Sequence, residues 1–265
     1  MNGILIFGLG YTAGRIATAL RAQGWEVDAT GSAGNLDFKD EASVRSALSG
    51  ASHVLSSVPP KREGGDDPVL SRYGDAFAGK WLGYLSSTGV YGDTGGAWVD
   101  ESAPTGGGRR STRAKCDLEW LKLGARAFRL PGIYGPGRSA LERVQSGKAT
   151  RIDLPGQVFS RVHVDDIVRG VCTAIDRNAP PGAYNLADDL PSSQNTVVEE
   201  ACRLLGIDPP QLQRLGEAGL SAQARAFYSE NRRIANGKAK RMLGWAPKYA
   251  TYCEGLLDCL NRHRA

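Results

Sequence analysis

Two short polar stretches carry side chains suited to chemistry on a small molecule. Residues 84–92 read Tyr-Leu-Ser-Ser-Thr-Gly-Val-Tyr-Gly, and residues 111–115 read Ser-Thr-Arg-Ala-Lys. Ser87 ends a strand-like run, so its hydroxyl could bind a substrate hydroxyl or carbonyl oxygen, or it could satisfy the backbone of a local turn. Lys115 lies in a predicted helix rich in positive charge, where a lysine can also be simply solvated. A role of either side chain in binding or catalysis requires secondary-structure elements that hold it in position.

A glycine turn near the start of the chain is suited to binding a pyrophosphate. The apolar run Ile4–Phe7 predicts a strand buried on both faces, and apolar residues at helical spacing predict a helix after it. Between them Gly8 permits a tight turn, Gly10 lets the backbone approach a pyrophosphate, and Ala13 fits close helix–strand contact. A helix N-terminus favours negative charge, so the segment predicts a dinucleotide site. A turn without a ligand is the alternative.

The end of the predicted second strand bears on the choice of cofactor. NAD-selective sites place Asp or Glu there, to bind the adenosine ribose hydroxyls. Here the place reads Thr30-Gly31-Ser32, and Asp28 lies earlier, inside the strand. Without that carboxylate a 2′-phosphate would not be repelled, Ser32 could donate to it, and Arg15 or Lys61-Arg62 could add charge. The sequence favours NADP, with NAD as the alternative.

Strand-like and helix-like segments alternate through the middle of the chain. They are a short strand at 35–38, a helix at 41–48, a strand at 53–58 ended by Pro59-Pro60, a helix at 69–77 and a strand at 81–86. This alternation is typical of an α/β protein with a Rossmann-type, doubly wound parallel sheet. The polar residues 61–68 follow a strand at the edge where such sheets bind ligands.

Ordered motifs cover about the whole chain. They are Ser-Ser-Thr-Gly-Val-Tyr-Gly (86–92), Val-Asp-Glu-Ser-Ala-Pro (99–104), Arg-Leu-Pro-Gly-Ile-Tyr-Gly-Pro-Gly (129–137), Arg-Val-His-Val-Asp-Asp (161–166), Leu-Gly-Trp-Ala-Pro (243–247) and Glu-Gly-Leu (254–256). Together they resemble the extended short-chain dehydrogenase/reductases, also called the NAD-dependent epimerase/dehydratase family. The resemblance implies an NAD(P)-binding Rossmann domain at 1–185, with an excursion at about 136–160, and a small C-terminal substrate lobe at 186–265.

The resemblance also implies a set of site residues. In this family a Ser or Thr at the position of Ser87 works with a Tyr-x-x-x-Lys pair. Anchored on Lys115 and Glu119, the tyrosine position falls on Ser111, whose hydroxyl is far less acidic than a phenol. The expected catalytic residues are Ser87, Lys115 and Ser111, with Lys115 on the nicotinamide ribose. The expected cofactor-binding residues are Gly8, Gly10, Tyr11, Thr12, Ala13, Thr30, Gly31, Ser32, Ser57, Val58 and Lys115.

The implied activity is that of an epimerase, dehydratase or reductase acting on an unknown substrate of sugar-nucleotide type. The absence of the family tyrosine keeps open a second function, a non-catalytic dinucleotide-binding sensor or regulatory protein. In the C-terminal lobe, Arg232 and Arg233 could bind an anionic substrate or remain solvated. His163 is expected to be structural, and Asp165 is expected to cap the helix that follows it.

Composition and charge narrow the remaining classes of protein function. The 265 residues include five cysteines without a CxxC pair and three scattered histidines, so we expect reduced thiols and no metal site. No apolar run reaches the ~20 residues of a membrane helix, and the N-terminus lacks a signal-peptide pattern, which favours a cytoplasmic protein. The net charge of +5 is spread along the chain, which argues against nucleic-acid binding. The resemblance also implies a homodimer formed through helices flanking residues 111–123.

Overall fold

The computed structural model describes residues 2–61, 65–108 and 111–264. The first half contains β1 (Gly3–Phe7), α1 (Tyr11–Ala22), β2 (Glu26–Ala29), α2 (Glu41–Gly50), β3 (His53–Ser56), α3 (Pro68–Tyr73), β4 (Trp81–Ser87), β5 (Trp98–Val99), α4 (Ser111–Lys122) and β6 (Arg126–Leu130). The second half contains β7 (Gly132–Tyr134), α5 (Ala140–Gln145), β8 (Arg151–Asp153), β9 (Arg161–His163), α6 (Val164–Asp176), β10 (Gly182–Asn185), α7 (Gln194–Leu205), β11 (Leu212–Arg214), α8 (Ala222–Arg225), β12 (Arg233–Ile234), α9 (Gly237–Leu243) and α10 (Tyr252–Arg264).

Six parallel strands form the central sheet, in the order β10-β6-β4-β3-β1-β2. This confirms the α/β, Rossmann-type sheet expected from the alternating pattern. β1 pairs with both β2 and β3, so the direction of winding reverses between β1 and β3. In open α/β sheets ligands bind at the carboxyl ends of the strands beside such a reversal. Gly8 to Gly10, Ser57 and Ser87 all lie at that edge.

Successive side chains of the buried strands point into two different cores. Ile4 and Ile6 of β1 pack in one core with α1, α6 and α9. Leu5 and Phe7 pack in the other core with α2, α3 and α4. Burial on both faces explains why β1 is a continuous apolar run rather than an alternating one. The sheet is therefore the middle layer of a three-layer domain.

A third core lies in the C-terminal lobe. It joins α5, α7 and α10 through apolar side chains that include Leu141, Val198 and Leu256. α5 belongs to the excursion expected at about 136–160, and the boundary expected at 185 coincides with the end of β10. Later residues also return to the sheet domain, since Leu243 and Trp245 pack in the core beside α6. The division of the chain at 185 stays a prediction.

Three local predictions were wrong. Residues 35–38 form no strand, and Leu36 makes one isolated bridge to Thr30, because the side chain of Asn35 already accepts the N–H of Ala29 (2.8 Å). The helix expected to reach Phe77 ends at Tyr73 and continues as a 3-10 turn at Gly74–Ala76. His163 caps α6, since its Nδ1 accepts the N–H of Asp165 (3.2 Å), while Asp165 lies in the first turn.

No described helix is both long enough and apolar enough to span a membrane. In the described ranges no group of three or more His, Cys, Asp or Glu side chains could hold a metal ion. All five cysteines are free thiols; four are buried and Cys253 is exposed.

Candidate active site

A cavity of about 810 Å³ opens at the carboxyl edge of the sheet. One side is formed by the glycine turn and the ends of β3 and β4, and a second side by Arg113 of α4 and residues 130–133. The far side is formed by residues 158–161 and by the segment from 220 to 234. The cavity thus extends from the predicted dinucleotide turn to the C-terminal lobe.

The glycine turn is built as a phosphate cradle would be. Gly8 has φ +85°, a region that glycine adopts readily, and its carbonyl accepts the Ser57 hydroxyl (2.6 Å). Gly10 caps α1, and a Cβ at Gly10 would meet no atom within 4 Å. The first turn of α1 has no acidic side chain, and its first N–H groups lack intrahelical partners. Gly10, Tyr11 and Thr12 all line the cavity, so this helix end faces it.

The other expected cofactor residues support the turn or lie beside it. Thr30 is buried and its Oγ1 accepts the N–H of Gly8 (3.3 Å), while Ala13 packs in the core under α1. Gly31 has φ +113°, and a Cβ there would lie 2.9 Å from the N atom of Leu9. Ser32 is exposed. Val58 packs against the core of α2 and α3, so Ser57 is the residue after β3 that reaches the cavity.

Of the charges expected to favour a 2′-phosphate, Arg15 makes contacts within and beside α1. Arg15 stacks over the Tyr11 ring (5.0 Å to the centroid) and is 3.6 Å from Asp165. Lys61 is exposed, and Arg62 is outside the described residues. The carboxylate of Asp28 accepts a hydrogen bond from the side chain of Asn35 (2.7 Å), so Asp28 stabilises the loop that follows β2.

Ser86 and Ser87, at the end of the central strand β4, have different roles. The Ser87 hydroxyl lines the cavity and also accepts the N–H of Gly89 (3.1 Å), which caps the 3-10 turn Thr88–Tyr91. Ser86 donates to Asp117 (2.5 Å). Ser87 therefore combines the local role and the cavity position between which the sequence could not choose.

The α4 side chains are arranged differently from the expectation. Ser111 begins α4 and is exposed, and Lys115 forms an ion pair with Asp66 (3.1 Å) with 56% of its side chain exposed. Neither residue lines the cavity. Arg113 does, and its guanidinium donates to the hydroxyl of buried Tyr84 (2.8 Å). Ser87 and Arg113 thus line the same cavity, whereas Ser111 and Lys115 do not.

A buried polar network supports the end of β4. Arg129 of β6 donates to both oxygens of Asp117 (3.3 and 2.8 Å) and to the hydroxyl of Tyr91 (2.9 Å). Tyr91 in turn donates to Asn185 (2.8 Å), and burial raises the pKa of the Tyr91 phenol. Tyr134 is also buried, and burial raises its pKa. Neither phenol lines the cavity, so both act in packing and support.

The phenols that do line the cavity are Tyr11 and Tyr228. The Tyr11 hydroxyl donates to the carbonyl of Pro136 (3.1 Å). Tyr228 packs edge-on against Phe159 (5.6 Å between centroids), and burial raises its pKa while Arg143 and Arg161 oppose the rise. Tyr228 is therefore a neutral phenol near two cations at ordinary pH.

The charged side chains that line the cavity as a whole are mostly positive. The described lining holds one carboxylate, Glu230, which pairs with Arg232 (2.9 Å), and five arginines: Arg113, Arg138, Arg143, Arg161 and Arg232. Arg161 is buried and donates to the carbonyls of Phe159 and Ser192 (both 2.9 Å). Arg233, like Arg232, was a candidate for binding an anionic substrate. It does not line the cavity, and its guanidinium donates to the carbonyl of Gly96.

Sequence reasoning missed Arg113, Arg138, Arg143, Arg161 and Tyr228 as cavity residues. Two of them left a signal. Arg161 is a charged residue in a segment that is otherwise typical of a buried strand. Arg113 lies one helical turn before Asp117, and Asp117 lies between Cys116 and Trp120 on the apolar side of the predicted helix. The convergence of Arg138, Arg143 and Tyr228 left none.

Comparison with known proteins identifies relatives that cover between 58% and 99% of the chain. No protein-family model matches it. A functionally unknown conserved protein from Silicibacter pomeroyi DSS is 36% identical, with a TM-score of 0.88 and coverage of 99% of each chain. The chain belongs to one family with this protein. Protein YeeZ from Escherichia coli K12 is 27% identical over 83% of this chain and 89% of its own length. A 3-diazoavenalumate denitrifying reductase from Streptomyces sp. is 29% identical over 58% of this chain and 54% of its own length.

More distant structures establish the type of fold. A dTDP-glucose 4,6-dehydratase from Bacillus anthracis in complex with NAD has a TM-score of 0.76 at 15% identity, covering 100% of this chain and 97% of its own. The human epimerase family protein SDR39U1 with NADPH has a TM-score of 0.77 at 14% identity, covering 98% and 99%. The chain therefore shares the fold of these dehydratase and epimerase-family proteins, which is the type of fold that the motif resemblance implied.

Proposed function

We propose that the protein is an NAD(P)-dependent enzyme of the epimerase, dehydratase or reductase type that acts on an anionic small molecule. The observation that carries the proposal is the single cavity that joins the N-terminus of α1 to Ser87 and to the arginines of the far wall. A dinucleotide and a substrate could lie end to end in it. A substrate of sugar-nucleotide type would bring the negative charge that such a wall attracts.

The glycine turn would hold the cofactor. Its diphosphate would lie at the amides of Gly10 to Thr12, where the helix dipole favours negative charge. When bound, the nicotinamide supplies hydride transfer. The two structurally similar proteins named above contain NAD and NADPH respectively, which supports a nicotinamide dinucleotide here. Because no carboxylate occupies positions 30–32 and Ser32 is exposed, we favour NADP.

The chain's own side chains would handle the substrate. Ser87 would donate a hydrogen bond to a substrate oxygen beside the nicotinamide. Arg143, Arg161 and Arg232 would orient the anionic part. Since Ser111 lies outside the cavity, the proton would pass through a lining group such as Tyr228, or through water.

A non-catalytic dinucleotide sensor is the competing function. It predicts a closed surface near Ser87, with no room for a substrate. The open cavity beside Ser87 favours turnover instead. The Streptomyces relative is named as a reductase, which also favours an enzyme over a sensor.

Calorimetric titration with NADPH and NADH tests the proposal. We expect binding of at least one of them, followed by turnover when phosphorylated sugars, sugar nucleotides or aromatic carboxylates are added. A reductase would show it as a loss of nicotinamide absorbance, and a redox-neutral epimerase or dehydratase as a new product separated by chromatography. Ser87→Ala should keep nucleotide binding and lose most turnover. Absence of binding to both nucleotides would overturn the proposal, and binding without turnover on any anionic substrate would favour the sensor.

We also propose a cytoplasmic homodimer. Unpaired thiols suit a reducing compartment, and all five cysteines are unpaired. Leu118 and Leu123, about half exposed, add apolar surface at α4, where the resemblance implies the dimer. Light scattering after gel filtration distinguishes a dimer from a monomer, and Leu118→Glu should shift a dimer towards monomer.

A further inference from the structure

We propose that Arg113, rather than Lys115, is the α4 cation that binds the nicotinamide half of the dinucleotide beside Ser87. The inference rests on the proposed function, because it assigns a residue to the same cofactor site. It follows from the orientation of α4 relative to the sheet, from the contacts of the two cations and from the path of the cavity.

The orientation of α4 is set by a buried residue one turn after Arg113. Asp117 is 2% exposed and forms an ion pair with Arg129 of β6 (2.8 Å). Residues four apart lie on one face of a helix, so Arg113 shares the inward face with Asp117. Lys115 lies two residues from each of them, about 200° around the helix axis. Turning Lys115 inward would pull Asp117 away from Arg129.

The contacts of the two cations match this orientation. Lys115 lies near the carboxylates of Asp66 (3.1 Å) and Glu119 (3.9 Å) on the outer face. Arg113 donates to the hydroxyl of Tyr84, and its guanidinium carbon lies 5.8 Å from the centre of the Tyr84 ring. Tyr84 is fully buried, so it gives the arginine a fixed support. A guanidinium has five N–H donors, and Tyr84 accepts from one.

The path of the cavity identifies the ligand atoms that Arg113 would meet. Strands β1, β3 and β4 are neighbours in that order, about 4.8 Å apart. The cavity is lined by Gly10 after β1, by Ser57 after β3 and by the end of β4 itself. A dinucleotide whose diphosphate lies at α1 would cross Ser57 with one half and reach Ser87. Arg113 lines the cavity at the end of that path. It would donate to hydroxyl oxygens of the ribose on that side.

Four variants of the full chain test the inference, with NADPH as ligand in calorimetric titrations. We expect Arg113→Gln to weaken NADPH binding at least tenfold and Arg113→Lys to weaken it less. Lys115→Gln is the matched control on the same helix and should stay within twofold of the wild type. Tyr84→Phe removes the support but not the charge, so it should weaken binding severalfold while the salt dependence of binding stays that of the wild type.

ADP serves as a probe that lacks the nicotinamide half. Arg113→Gln should bind ADP within twofold of the wild type. Its melting temperature without ligand should fall by a few degrees at most, since the hydroxyl of Tyr84 loses one hydrogen bond. The inference is wrong if Arg113→Gln binds NADPH like the wild type, if Lys115→Gln loses binding, or if ADP binding falls as much as NADPH binding. If the wild type binds neither NADPH nor NADH, the proposed function fails with it; a wild type that binds while Arg113→Gln is unaffected overturns only the role of Arg113.

Discussion

Asp117 and Arg129 form a buried ion pair (2.8 Å) that joins α4 to β6 behind the end of β4. The same carboxylate accepts the hydroxyl of Ser86, the neighbour of Ser87. One pair therefore fixes the strand end that carries Ser87 and the helix that carries Arg113. Arg129 also donates to the hydroxyl of Tyr91, so the ion pair is part of a larger buried hydrogen-bond network.

Asp117→Asn should destabilise the protein strongly. It leaves the Arg129 charge buried without its partner, which typically costs about 3–5 kcal/mol. Urea unfolding at pH 7 measures the loss. Glu200→Gln is the control, because Glu200 pairs with Arg203 on the surface at a similar distance (2.7 Å) and should cost less than about 1 kcal/mol. Equal losses in the two variants would contradict the importance of burial.

Gly10→Ala should keep the fold and impair the cofactor site. A Cβ at Gly10 meets no protein atom within 4 Å, yet Gly10 lines the cavity where the diphosphate would approach. We expect NADPH binding to weaken at least tenfold while the melting temperature stays within a few degrees. Gly14→Ala, one turn later in α1, also has free space and should keep binding with equal or higher stability. A Gly10→Ala variant that binds like the wild type would place the nucleotide elsewhere.

Ser32→Asp should change the preference between the two nucleotides. A carboxylate after the second strand would repel the 2′-phosphate of NADPH and could bind the ribose hydroxyls of NADH. We expect the ratio of NADPH to NADH affinity to fall at least fivefold, measured by calorimetry in low salt. Ser32→Ala, which adds no charge, should change the ratio less. An unchanged ratio in Ser32→Asp would show that the adenosine end lies away from residue 32.

Asp188→Asn should remove a pH-dependent loss of stability. Both carboxylate oxygens of Asp188 are buried without a hydrogen-bond partner among the described residues, and burial raises its pKa to about 7. Between about pH 4 and pH 7 the folded protein keeps a proton that the unfolded chain has lost, so wild-type stability falls as pH rises. Relative to the wild type, the variant should gain on the order of 1 kcal/mol per pH unit in this window.

Urea unfolding of both proteins at pH 5, 6, 7 and 8 measures that difference. All other titrating groups are shared, so their contributions largely cancel in the comparison. A difference in the free energy of unfolding that does not change between pH 5 and 7 would mean that Asp188 is already ionised in the folded protein.

The sequence predicted the parts of the molecule that depend on local pattern. The apolar run before Gly8 and the helical spacing after it determine the glycine turn, and both are readable along the chain. The orientation of α4 was not readable, because the pairing of Asp117 with Arg129 depends on how a helix sits on a sheet. Lys115 and Arg113 are both plausible cations until that contact is known.

The part of the cavity that we propose to bind substrate was even harder to predict from sequence. Arg143, Arg161 and Arg232 come from three segments that meet only through the folding of the lobe. The strand expected at 35–38 failed for a local reason of another kind, since one asparagine side chain replaced the backbone pairing. Side-chain competition of this type leaves no periodic signal.

Asp166 anchors the segment that follows α9 to the first turn of α6. Its carboxylate accepts the N–H groups of Lys248 (2.6 Å) and Tyr249 (3.0 Å), and its neighbour Asp165 holds Arg262 of α10 (2.5 Å). A hinge motion of the whole lobe would break these contacts. The 3-10 turn Ala226–Ser229 has no fully buried side chain, and its printed ring contact is that of Tyr228 with Phe159. A displacement of this short turn would therefore break fewer contacts than closure of two rigid halves, which would have to break the bonds of Asp166 and Asp165.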